Sequence, residues 1–152
     1  MILTTHMLAG AAAASKISNP FLALPLALLS HYLCDFLPHN DYSIINIVER
    51  RWNKTHRHFV KIFLDISLGT LLILLFSDNN PIIFAGAFIA IVPDGITLLS
   101  KIFPQNKLAA LHQVFHALVN KVGDLDGNKK IPVFWGILSQ IIIVSISIVF
   151  LR

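Results

Sequence analysis

From Pro132 to Leu151 the chain runs for twenty residues, PVFWGILSQIIIVSISIVFL, without one charge. About 20 apolar residues in a helix cross the roughly 30 Å hydrocarbon core of a bilayer, so this run reads as a membrane span. Phe59–Ser77 (FVKIFLDISLGTLLILLFS) and Phe21–Pro38 (FLALPLALLSHYLCDFLP) repeat the pattern with few interruptions. Composition agrees with them. Only 13% of the residues are charged and 55% are hydrophobic, whereas a soluble domain carries about 25% charged residues to cover its surface. The expected fold is therefore all-α: one membrane-embedded helical domain over residues 1–152, with four to five transmembrane helices and one or two interfacial helices.

The fourth span is Ile82–Ser100, apolar except for Asp94 beside Pro93 and Gly95. The fifth, Ile2–Ile17, is shorter and rich in alanine. It lacks the basic residues that would precede a signal peptide, so it reads as a weak span. Asn19-Pro20 and the stretch Ser77–Pro81 mark turns between spans. Two polar connections carry the bases. One holds Arg50, Arg51, Lys54 and Arg57; the other holds Lys101, Lys107, Lys121, Lys129 and Lys130. Counting helices puts both on one side, which the positive-inside rule makes cytoplasmic. Within the connections, Ile44–Trp52 and, more clearly, Leu108–Val122 carry apolar residues at helical spacing. Each either lies flat at the interface or packs on the bundle end.

Ionisable side chains inside spans cost about 2.5–3.5 kcal/mol each on insertion scales, so each needs a purpose or a partner. Here they are His6, His31, Asp35, Asp65 and Asp94, all toward the same side, with His39, Asp41, His56, His58, His112 and His116 flanking that face. His31-x-x-x-Asp35-x-x-x-His39 steps by four, which stacks side chains on one helical face. Pro38 is expected to end or kink the helix and swing His39 away from the other two. His112-x-x-x-His116 repeats the step. Imidazole and carboxylate are the usual ligands of zinc, and of manganese or iron. A divalent ion would also balance the buried charge of Asp35 and Asp94.

Bland readings stand beside these. His56 and His58 lie among bases and suit head-group contacts. Asp65 either pairs with Lys61 one turn earlier or serves the site, and Asp41 either caps a helix or serves the site. Asp124–Asn128 opens like a calcium-binding loop, but Lys129 and Trp135 stand where glycine and the bidentate acid are needed, so a turn is the better reading. The aromatics sit in the spans rather than among the bases, so nucleic acid is not an expected partner.

Three stretches carry a family resemblance: Thr5-His6 through Gly10, Ser30-His31 through Asp35-Phe-Leu-Pro38-His39, and Gly86 through Pro93-Asp94. Together they resemble the bacterial inner-membrane, metal-dependent hydrolase family. The resemblance reaches His116 and leaves the last helix unmatched. It implies His6, His31, Asp35, Asp94 and His116 as metal ligands, with His39 and His112 as secondary candidates. Where the family often has Pro-Asp-x-Asp, this chain has Gly95-Ile96 after Asp94.

The expected function is a membrane-embedded hydrolase that cleaves a phosphate ester of a lipid or isoprenoid. A divalent metal, zinc first and manganese or iron next, would activate the water. Asp65 or Asp41 would orient or deprotonate that water, and Arg50, Arg51, Lys54 and Arg57 would hold the substrate phosphate. Membrane lipids are the expected partners. The competing readings are a metal-ion carrier, a scaffold with structural histidines, or a bis-histidine haem protein. A carrier needs polar side chains through to the far side, and Ser67–Phe88 is almost free of ionisable groups except Asp78.

Overall fold

The computed structural model describes residues 1–40, 43–123 and 132–152. Asp41 and the turn expected at Asp124–Asn128 lie outside these residues. The described residues form seven α-helices and no strand: α1 (Leu3–Ser15), α2 (Pro20–Phe36), α3 (Ile45–Val48), α4 (His56–Phe76), α5 (Pro81–Ile102), α6 (Lys107–Gly123) and α7 (Val133–Leu151). A single 3-10 turn, Trp52–Lys54, lies between α3 and α4. Three helices, α4, α5 and α7, are long and apolar enough to cross a membrane, and α2 is a shorter apolar helix.

Two of the helix starts follow directly from local chemistry. Asn19 and Asn80 each sit in extended backbone and accept the amide of the residue two positions on, Phe21 and Ile82. Proline follows each asparagine at the first helical position, where its missing N–H costs nothing. The turn before α5 also uses Asn79 in the left-handed region, at φ 56, which asparagine tolerates better than most residues.

Helix α1 occupies the centre, packed against α2, α4, α5 and α7. Ten of its thirteen residues are buried, among them Thr4, Thr5 and His6. The surrounding helices invert the soluble pattern. Phe63, Leu75, Phe88, Phe134 and Val149 are all exposed by more than 60%, an apolar exterior suited to lipid. Without a solvent-driven hydrophobic force between helices in lipid, close backbone approach becomes the adhesive. Gly10 and Ala14 of α1 face Gly86 and Ala90 of α5 in that way. A Cβ on Gly86 would lie 2.5 Å from the Ala14 methyl and 2.8 Å from the Gly10 carbonyl oxygen. A Cβ on Gly10 would overlap the Ala90 methyl and the Gly86 carbonyl.

Helix α6 settles one open expectation. It folds back along α5 and also touches α2. Its inward face carries His116, His112 and Gln113, while Leu108, Leu111, Val114, Phe115 and Leu118 point outward. Gln113 receives the Ser100 hydroxyl at 2.9 Å, which ties the two helices together. The apolar stripe legible in the sequence is thus the helix's outer surface.

If the α1–α5 contact holds the bundle together, Gly86→Leu will destabilise it by about 1–3 kcal/mol, the usual cost of overpacking. Thermal unfolding in detergent checks this, with Gly95→Leu as control, because a Cβ at Gly95 meets nothing within 4 Å.

Candidate metal centre

The centre is assembled from four elements at one end of the bundle. His6 comes from the first turns of α1, His31 and Asp35 from the last turns of α2, Asp94 from α5 and His116 from α6. The four-residue step puts His31 and Asp35 on one face, aimed at α1. Both are fully or almost fully buried, at 0% and 2% exposure, and His6 is at 0%.

His31 Nε2, His116 Nε2 and Asp35 Oδ2 form a triangle with edges of 3.0, 3.2 and 2.9 Å. Asp94 Oδ1 stands 3.6 Å from His116 Nε2 as a fourth corner. Ligand atoms about 2.0 Å from a tetrahedral zinc ion stand about 3.3 Å apart, so the donor set has the dimensions of a metal cup. Ligand atoms from His31, Asp35, Asp94 and His116 all fall within 4.8 Å of one another.

Hydrogen bonding alone leaves the cluster unsatisfied. Asp35 Oδ2 accepts no well-directed hydrogen bond despite its two close imidazoles, and both His6 ring nitrogens and His31 Nδ1 also lack partners. Orphaned polar atoms at such depth are rare in native proteins. Two carboxylates lie close together at this depth, and the Met1 ammonium, 3.4 Å from Asp35 Oδ1, is the cationic group beside them; a divalent cation would add to that balance.

The remaining candidates fall into place around this cup. His39 lies beyond the end of α2, as Pro38 led us to expect, yet its ring does not leave the site. Nδ1 binds the Leu37 carbonyl at 2.7 Å and Nε2 returns to within 3.7 Å of Asp35 Oδ1. His112 does not enter the cup: its Nε2 meets the Pro93 carbonyl at 3.1 Å, and its ring lies beside His116. Burial lowers the His112 pKa from the ordinary histidine value, although the Pro93 hydrogen bond works in the opposite direction. Its place is that of a support for His116.

Asp65, expected to handle the water, is placed elsewhere. Its carboxylate accepts the amides of Leu3 at 2.6 Å and Thr4 at 3.1 Å, together with the Thr4 hydroxyl. It therefore caps α1 from α4, satisfying the free amides and the positive end of the helix dipole. None of these hydrogen bonds reaches the cup, and none is to Lys61. Arg50, Arg51, Lys54 and Arg57 are exposed, and Arg51 pairs with Glu49 at 2.9 Å. His56 is exposed, whereas His58 is buried and bonded to Asn46 at 2.9 Å.

Sequence reading missed the role of α7. Gln140 accepts the Ile2 amide at 3.3 Å and donates to the Asn40 carbonyl at 3.2 Å. Ser139 donates to the Pro38 carbonyl at 2.6 Å. The last helix thus clamps both the entry to α1 and the segment carrying His39. Glutamine in an otherwise uncharged span was the available signal, since a buried amide needs partners.

Beside the cup lies a cavity of about 330 Å3. Leu3, Ile44, Ile62, Ile66, Ile91 and Leu98 supply its apolar wall, and Asp94 and His116 meet it on the polar side. Its size sits at the low end of the about 300–1,000 Å3 typical of ligand sites. Asp94, with a side chain 24% exposed, is the most accessible of the four cup residues.

Two outcomes follow. Asp35→Ala will remove divalent metal from detergent-purified protein, read as metal per chain by mass spectrometry; retention of a full complement would exclude this cup. Asp65→Ala, which strands buried amides at about 1–3 kcal/mol each, will lower the unfolding temperature. His31→Ala should lower the metal content without this loss of the α1 cap.

Comparison with family models, curated proteins and solved structures returns no match for this chain.

Proposed function

We propose that this chain is a membrane-embedded, metal-dependent hydrolase that cleaves a phosphate ester of a lipid or isoprenoid. The observation that carries this reading is the buried triangle of His31, His116 and Asp35, open through Asp94 to an apolar cavity. When bound, a divalent ion, zinc first and manganese or iron next, would supply Lewis acidity and acidify a water.

The protein's own groups divide the remaining work. His31, His116 and Asp35 are fixed by burial and present their donor atoms without rearrangement. Asp94, partly exposed at the cavity wall, is the group best placed to orient the attacking water. The apolar wall accepts the alkyl chain, each buried methylene contributing about 0.8 kcal/mol, and so brings the polar end to Asp94 and His116. The connection bearing Arg50, Arg51, Lys54 and Arg57 also contributes Ile44 to that wall. Those bases attract an anionic head group to the same end of the bundle.

The resemblance in the segments around His6, His31 to His39 and Asp94 supports the same assignment. By the positive-inside rule this end faces the cytoplasm, and the resemblance implies a bacterial inner membrane. A carrier is less well supported: beyond the cup, Leu8, Ala11, Ile73, Ile83 and Ala87 form an apolar core cluster among the described residues.

Metal-loaded protein should release phosphate from a long-chain alkyl or isoprenyl phosphate. Asp94→Asn should lower that rate about 100-fold or more, the ordinary worth of a positioned catalytic group. Ile66→Trp, which fills the cavity, should raise KM for long chains while sparing a short-chain phosphate. Metal-replete protein that hydrolyses none of these esters would sink the reading.

A further inference from the structure

Asp35 and Asp94 each turn their two oxygens toward different imidazoles. Asp35 Oδ2 faces His31 and His116, at 3.2 and 2.9 Å, while Oδ1 faces His6 and His39, at 3.2 and 3.7 Å. Asp94 Oδ1 faces His116 at 3.6 Å, and its Oδ2 faces His6 at 3.7 Å. The donors therefore sort into two sets of equal make-up, two imidazoles and two carboxylate oxygens each.

We propose that the centre is binuclear, with Asp35 and Asp94 bridging two divalent cations. His31 and His116 serve the first position; His6 and His39 serve the second. This inference rests on the reading of the cluster as a metal centre and adds the second ion to it.

Three independent features support the second position. First, His6 is fully buried and neither of its ring nitrogens has a hydrogen-bond partner. Second, His39 Nδ1 donates to the Leu37 carbonyl at 2.7 Å, which turns Nε2 toward Asp35 Oδ1 at 3.7 Å. A backbone bond on the far nitrogen is how proteins orient a ligating histidine. Third, the His6 and His31 rings stack with centroids 4.1 Å apart and planes 29° apart. Two-metal sites hold their ions about 3.5–4 Å apart, so imidazoles bound to neighbouring ions stack at about this spacing.

The arrangement also narrows the substrate. Two divalent cations against two carboxylates leave a net charge of about +2, and the Met1 ammonium, 3.4 Å from Asp35 Oδ1, adds to it. A centre of that sign suits an anion such as a phosphate monoester, which carries about −1.5 to −2 at neutral pH.

The test uses the full chain in detergent, stripped with chelator and reloaded with manganese alone. Two manganese ions per chain and an exchange-coupled paramagnetic resonance spectrum are expected. His39→Ala, His6→Ala and His31→Ala should each lower the count to one and give the spectrum of an isolated ion. One ion per chain in the unaltered protein, with an isolated-ion spectrum, overturns the second position. That outcome leaves the single cup intact and assigns Oδ1 to Met1 nitrogen. No bound ion at all overturns the metal centre together with this proposal. If a variant fails to fold, the spectrum of the unaltered protein still decides the question.

Discussion

A carboxylate held inside an apolar bundle is the constraint from which the architecture follows. Asp35 is almost completely buried, and stripping such a group of water costs several kcal/mol even after relaxation. The protein has gathered His6, His31, His39 and His116 around one acid from three helices and a loop, with the Met1 ammonium 3.4 Å from its Oδ1. Buried polar atoms around it still lack hydrogen-bond partners, on His6, His31 and Asp35 itself. Such a set of donors could hold a metal ion.

Polar groups at the centre and apolar groups outside make this an inverted protein, and α1 shows how that inversion is held together. Its methyl groups and glycines give close contact, but little apolar area per residue. Directional bonds supply what area does not. Asp65 satisfies the start of the helix, and Gln140 ties the residue just before it. His6 is thereby fixed at its height in the bundle. The imidazole is positioned by groups that never touch it, which is how a rigid constellation is normally secured.

How much of this was legible in the sequence depended on range. Spans α4, α5 and α7 were readable because length and hydropathy are local properties, and the Asn-Pro starts of α2 and α5 are equally local. His31 with Asp35 was readable because a four-residue step in a helix has one geometric meaning. The same step could not say which of His112 and His116 turns inward; that depended on how α6 lies against α5. His39 was expected to swing away after the proline, and its ring came back because the Leu37 carbonyl captured the far nitrogen. Asp65 was read against Lys61, four residues off, whereas its partners sit more than sixty residues away in α1. Helix α1 looked like the weakest span for the reason it makes the best core: alanine and glycine score low on hydropathy and high on close approach.

The brevity of that core helix has one more consequence. Asp65 meets Leu3 nine positions after His56, so α4 runs about 14 Å past the point where α1 begins. That overhang builds the wall of the cavity: Ile62 of α4 and Leu98 of α5 stand beyond the first turn of α1, and Ile44 from the connection before α4 joins them. The pocket beside Asp94 and His116 is thus a by-product of helices that start at unequal heights.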